Sequence, residues 1–109
     1  MKIDKETQEK IQELQEYEQN LHSLLMQKQA FQIELIETET ALVEIVNSKE
    51  DIFKIIGNIM IKTEKKRVED ELKRKKELFS LRLKSIESQE KELTNKTEEI
   101  KKEIMKKIK

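Results

Sequence analysis

Apolar residues recur every 3.5 positions through most of this 109-residue chain, in two blocks separated by a short segment with a different rhythm. With heptad position a at Thr7, Leu14, Leu21, Lys28, Leu35 and Leu42, position d falls on Lys10, Tyr17, Leu24, Phe31, Thr38 and Ile45. From Glu64 onward the d positions are Leu72, Phe79, Ile86, Leu93 and Ile100, followed by Lys107. Position a is patchier there: Glu69, Lys76, Leu83, Glu90, Thr97 and Ile104. An apolar stripe of this period, sustained over more than four heptads, has to be covered by another helix, which makes a coiled coil. The pattern predicts helix 1 from about Asp4 to Asn47 and helix 2 from about Glu64 to Lys107, each roughly 65 Å long at about 1.5 Å per residue.

Between the blocks, Asp51 to Lys62 reads DIFKIIGNIMIK, the most apolar stretch of the chain, gathered around its only glycine. Ile56-Gly57-Asn58-Ile59 has the form of a two-residue hairpin loop, because Gly supplies the positive φ that a type II′ turn needs at its first central position. Isoleucine is β-branched and favours strands, so Ile52–Ile56 and Ile59–Thr63 are predicted to pair antiparallel. With that loop, paired strand residues have numbers summing to 115. Pairing the helices a-to-d in antiparallel fashion matches Leu42 with Leu72, Leu35 with Phe79, Phe31 with Leu83, Leu21 with Leu93 and Leu14 with Ile100, all summing to 114. Two separate periodicities therefore agree on one fold-back. The expected architecture is mostly α: a single domain over residues 1–109, formed by a long antiparallel two-helix coiled coil with a central β-hairpin.

Alternation puts Ile52, Lys54, Ile56, Ile59, Ile61 and Thr63 on one face of the hairpin and Phe53, Ile55, Met60 and Lys62 on the other, so both faces are largely apolar. An ordinary half-exposed hairpin has one polar face, and a lone two-stranded hairpin is marginal in water. Its outer edges also invite further strands. Burial then requires association of several hairpins into a closed sheet or barrel, with Ile52, Phe53, Ile55, Ile56, Gly57, Asn58, Ile59, Met60 and Ile61 as the oligomerisation segment.

Composition narrows the class. Charged residues make up 42% and apolar ones 35%, with no proline and no cysteine. That is poor material for a large globular core but suits long helices. Residues 1–50 hold 11 carboxylates against 5 lysines, a net −6, and residues 51–109 hold 18 basic against 12 acidic residues, a net +6. The asymmetry disfavours self-pairing of helix 1 and favours the intrachain hairpin. Neither a signal peptide nor a membrane-spanning run is evident, which predicts a cytoplasmic protein.

The order long helix, IFKIIGNIMIK, long helix, together with LLMQKQ at Leu24–Gln29 and SIESQEKEL at Ser85–Leu93, resembles the beta subunits of archaeal prefoldin over essentially the whole chain. Phe53 stands where that family commonly has tyrosine, and the connection from Asn47 to Asp51 is shorter and lacks the frequent proline. The resemblance implies a hexamer of two alpha and four beta subunits whose hairpins build a β-barrel platform. It also implies capture of unfolded or nonnative proteins without ATP at the coiled-coil tips, and their delivery to a group II chaperonin. No cofactor, metal, nucleic acid or membrane partner and no enzymatic activity are expected.

In the fold-back the chain termini meet, which gathers Ile3, Ile11, Ile104, Met105 and Ile108 at the end far from the hairpin. Ile11, Met105 and Ile108 fall off the seam, so this tip either closes the last turns of the coil or grips clients. A second off-seam group, Ile33 and Ile36 with Leu78 and Leu81, lies at one height by the same register, either as a contact with a neighbouring arm, as an inner wall for clients, or as scattered aliphatics. His22 is the only histidine and has no second ligand, so it is read as solvated. Glu37, Glu39 and Glu44 read as a charged face, and KRKK at Lys73–Lys76 is diluted by acidic neighbours. A tethering coiled coil with one fixed partner and a nucleic-acid-binding arm are the rival functions.

Overall fold

The computed structural model describes residues 3–108. It consists of α1 (Lys5–Asn47), β1 (Ile52–Ile56), β2 (Ile59–Thr63) and α2 (Lys65–Ile108). The helices begin and end within a residue of the positions that the heptads predict, and the strands have the predicted bounds.

Local chemistry sets the boundaries. Asp4 caps α1: its Oδ1 accepts the backbone N–H of Thr7 at 2.7 Å, satisfying a donor that the first turn leaves unpaired. The last turn of α1 has no basic residue of its own. Lys65, at the start of α2, fills that role by donating from Nζ to the carbonyls of Val46 and Ser48, both at 3.0 Å. A cation there satisfies orphan acceptors and complements the negative end of the helix dipole. The hairpin turn forms around Gly57, whose φ is +60°, and no non-glycine residue among those described has positive φ. Asn58 therefore sits at negative φ, which makes the turn type II′ rather than I′.

The strands pair antiparallel as Ile52 with Thr63, Phe53 with Lys62, Lys54 with Ile61, Ile55 with Met60 and Ile56 with Ile59. Every pair has the predicted sum.

The chain packs as two compact units, one comprising Met1–Gln29 with Lys84–Lys109, the other Ala30–Leu83. In the first, the terminal parts of the helices bury Thr7, Leu24, Ile86, Thr97, Ile100 and Ile104. Leu14, Tyr17, Leu21 and Leu93 are half-buried beside them. Ion pairs join the two segments: Lys107 to Glu6 at 2.6 Å, Lys10 to Glu103 at 3.0 Å and Lys28 to Glu90 at 3.4 Å. Lys28 and Glu90 interrupt the apolar seam at a positions and answer each other's charge across it. In the second unit Leu83 and Thr38 are buried, and Phe31, Leu35, Leu42, Leu72 and Phe79 are half-buried. The Phe31 and Phe79 rings meet with centroids 6.0 Å apart and a 42° tilt, a favourable offset arrangement. Lys76, at an a position, is exposed instead of covered. Its level partner Thr38 turns its hydroxyl back onto the Glu34 carbonyl at 2.7 Å, so that layer of the seam is closed by a self-satisfied polar side chain.

No large side chain among those described is below 2% exposure. A seam made by two helices has no third wall, so even its a and d residues keep an edge in water. Thr97 shows the cost of a polar group in that seam: its Oγ1 is buried without a hydrogen-bond partner. Thr97→Val removes the unpaired hydroxyl at nearly constant shape, and it is expected to stabilise the fold by about 1 kcal/mol, read as a raised midpoint in denaturant unfolding.

Candidate functional site: the hairpin and the helix ends

The hairpin displays apolar side chains on both faces. Phe53 is 53% exposed, Ile55 70% and Met60 65% on one; Ile56 is 56%, Ile59 64% and Ile61 46% on the other. Ile52 and Thr63 at its base are only half-buried. The sheet has two strands, so each is an edge with outward-facing backbone donors and acceptors. Full burial of an aliphatic or aromatic side chain is worth about 1.5–3 kcal/mol, so six half-exposed ones form a strong drive toward a partner surface.

Two polar ties hold the hairpin base. Lys54 Nζ donates to both carboxylate oxygens of Glu71 on α2, at 3.1 and 3.4 Å. Lys62 pairs with Asp51 at 3.3 Å. The hydrogen bond from Lys54 holds the Glu71 carboxyl below its ordinary value. Beside this tie an open groove of about 390 Å³ is lined mainly by Ala41, Ile45, Phe53, Ile55, Val68 and Leu72, so the hairpin does not close onto its own helices.

All five residues predicted for the far tip fall in the unit that holds the helix ends. Ile3, Met105 and Ile108 are exposed, at 42%, 57% and 40%, and Ile11 is half-buried. Ile104 is different: at 8% exposure it is a seam residue of the core, because its a position turns it onto α1. The exposed apolar groups stand among charges. Lys107 bonds Glu6 and Lys10 bonds Glu103, which shows that the two helix ends lie side by side. The Glu6 carboxyl is pulled below its ordinary value chiefly by the hydrogen bond from Lys107, and that of Asp4 by the side-chain hydroxyl of Thr7 and then by its backbone N–H.

Ile33, Ile36, Leu78 and Leu81 are all exposed, between 49% and 63%. His22 is exposed, as are Glu37, Glu39, Glu44 and the whole of Lys73–Lys76. Among the described residues no cluster of His, Cys, Asp or Glu has a metal-binding arrangement, and no helix is long and apolar enough to cross a membrane. Sequence reasoning missed the Lys65 cap, the Lys54–Glu71 tie and the groove. The cap had a signal: a long helix ending without a basic residue needs its cation from elsewhere.

A sequence profile described as "Prefoldin subunit" matches residues 8–109. The prefoldin beta subunit of Thermococcus onnurineus is 39% identical over 94 residues, covering 84% of this chain and 81% of its own. That of Saccharolobus islandicus is 33% identical over 105 residues, covering 94% and 83%. The crystal structure of the prefoldin beta subunit from Thermococcus strain KS-1 superimposes with a TM-score of 0.88 at 34% identity, covering 96% of this chain and 94% of that one.

The depressed carboxyls at the helix ends predict an acid-sensitive tip. Asp4 and Glu6 bind protons less readily in the folded state than in the unfolded one. Their contribution is therefore present above their ordinary values of 3.8 and 4.5 and is lost as pH falls through the lower folded values. Amide protection at Thr7–Lys10 and Lys102–Lys106, corrected for intrinsic exchange, is expected to fall by up to about fivefold between pH 6 and pH 3, the scale of exposed ion pairs. Protection around Leu24 and Ile86 should change less.

Proposed function

This chain belongs to the prefoldin subunit family, whose members are non-enzymatic chaperone subunits that assemble with other prefoldin subunits, and from that premise we propose that it works as an ATP-independent holdase. The observation that carries the reading is the exposure of large apolar side chains on both faces of a two-stranded hairpin with open edges. Such a surface has to be buried, and joining hairpins edge to edge does so while removing the edges. The resulting β-barrel platform unites four beta subunits with two alpha subunits in the cytoplasm.

Clients are nonnative proteins. They are gripped at the helix ends, where Ile3, Met105 and Ile108 offer exposed apolar contact, Ile11 lends a flank, and Ile104 holds the helices together beneath them. Methionine's flexible thioether suits irregular partners, and shallow exposed contacts suit weak and promiscuous capture. Release to a group II chaperonin then needs no chemistry from this chain, because each contact is weak enough to be exchanged.

Replacing Ile3, Met105 and Ile108 together by Ser is expected to abolish most of the suppression of aggregation of several unrelated denatured proteins, with the native mass of the assembly unchanged. Ile55→Lys with Met60→Glu is expected to reduce native mass toward that of a single chain. Full aggregation suppression by the tip variant, or a monomeric wild-type chain in the presence of alpha subunit at micromolar concentration, overturns the reading.

A further inference from the structure

The hairpin stands clear of the helices that carry it. The groove of about 390 Å³ beside β1 has two apolar walls, Phe53 and Ile55 on the strand and Ala41, Ile45, Val68 and Leu72 on the helices. A second opening, of about 260 Å³, lies between Ile56, Ile61 and Thr63 of the hairpin and Arg67 near the start of α2. Lys54 and Glu71 line both. Their ion pair therefore stands as a post between sheet and helix, with open space on either side.

Little else fixes the distance of the hairpin from the helices. β2 ends at Thr63 and α2 begins at Lys65, so the link between them is Glu64 alone, while residues 48–51 join α1 to β1. Among the ion pairs of the described residues, Lys54–Glu71 is the one that runs from a hairpin strand to a helix; Lys62 pairs within the hairpin base, with Asp51. Links this short carry a two-stranded sheet without clamping its tilt. Facing apolar walls with space between them draw together, because closing takes their surface out of water. A lysine bonded to both oxygens of one carboxylate, at 3.1 and 3.4 Å, sets the distance at which that closing stops.

We propose that Lys54 and Glu71 are positioning residues for assembly: their pair props the hairpin open, and without it Phe53 and Ile55 settle against Ala41, Ile45, Val68 and Leu72 of the same chain. The self-closed chain then competes with the joining of subunits. Closure hides part of one hairpin face and leaves Ile56, Ile59 and Ile61 uncovered, so it weakens joining without removing the drive toward it. The inference rests on the hairpin-assembly reading.

The strength of the pair suits this task. Lys54 is 47% exposed and Glu71 34%, and a pair at the surface shifts a two-state balance by up to about fivefold. That is too little to decide whether the seam folds. It is enough to choose between two positions of a hairpin on short links, and the apparent affinity for a partner scales with the fraction of chains held open.

The sequence has no tryptophan, so Phe53→Trp places a single reporter on the groove wall. In the free chain carrying that reporter, Lys54→Met is expected to lower acrylamide quenching by about twofold and to shift the emission to shorter wavelength, as the open fraction falls. In titrations with the alpha subunit, the concentration for half-assembly should rise by up to about fivefold. Glu71→Gln, which breaks the pair from the other side at nearly constant shape, should reproduce both changes. Lys54→Glu/Glu71→Lys should reverse both, with helix content by circular dichroism the same throughout. Quenching that stays level or rises in Lys54→Met overturns the post, since the hairpin then stays put or swings away. So does weaker assembly with unchanged quenching, which would make Lys54 a direct contact of the partner, and so does failure of the exchanged pair to restore either measure. A wild-type chain that does not join the alpha subunit overturns the hairpin reading and this one with it.

Discussion

A two-residue turn governs this molecule. Gly57 at φ +60° with Asn58 at negative φ makes a type II′ connection, whose twist suits antiparallel strands and which leaves no slack in their pairing. With the strand register set, the chain leaves the hairpin on both sides at matched heights, and α1 meets α2 with a and d residues opposed. A one-residue slip in the turn would carry Ile55 and Met60 to the other face of the hairpin and shift the level of the seam contacts within the unit Ala30–Leu83. The glycine is therefore needed for its backbone rather than for room, since nothing lies within 4 Å of where a Cβ would stand.

The seam that follows is thin. Two helices bury a stripe and leave everything else in water, so the fold rests on many partial burials together with charge pairs that flank them, such as Lys10 with Glu103 and Lys28 with Glu90. Charges at seam positions weaken the core slightly and discriminate strongly between registers, because an ammonium slipped against an isoleucine would lose its partner. The same economy explains the Lys65 cap: the start of one helix supplies the cation that the end of the other lacks.

What remains uncovered is as informative as what is packed. The hairpin's apolar faces, the exposed Met105 and Ile108 beside the charged pairs of the helix ends, and the outward aliphatics of Ala30–Leu83 are surfaces that this chain has no means to bury alone. Membership of a family of chaperone subunits fits that division, with the seam serving as scaffold and the uncovered surfaces meeting other chains.

Much of the fold was legible because its elements are governed by local periodicity. Heptads locate helices within a residue or so, and a Gly-Asn pair between β-branched runs locates a hairpin and its register, since both signals depend on near neighbours along the chain. The hairpin and four of the five tip residues also emerge as exposed or half-exposed surface, because positions off a two-helix seam have nothing to cover them. The heptads already set Ile104 on the seam, and its burial agrees; only the tertiary structure decided that Lys76 leaves the seam, and that Lys54 and Lys65 reach Glu71 and the Val46 and Ser48 carbonyls. These outcomes turn on where flexible side chains reach across between elements distant in sequence. Periodicity says which way a Cβ points; only the assembled helices determine what lies within reach of its far end.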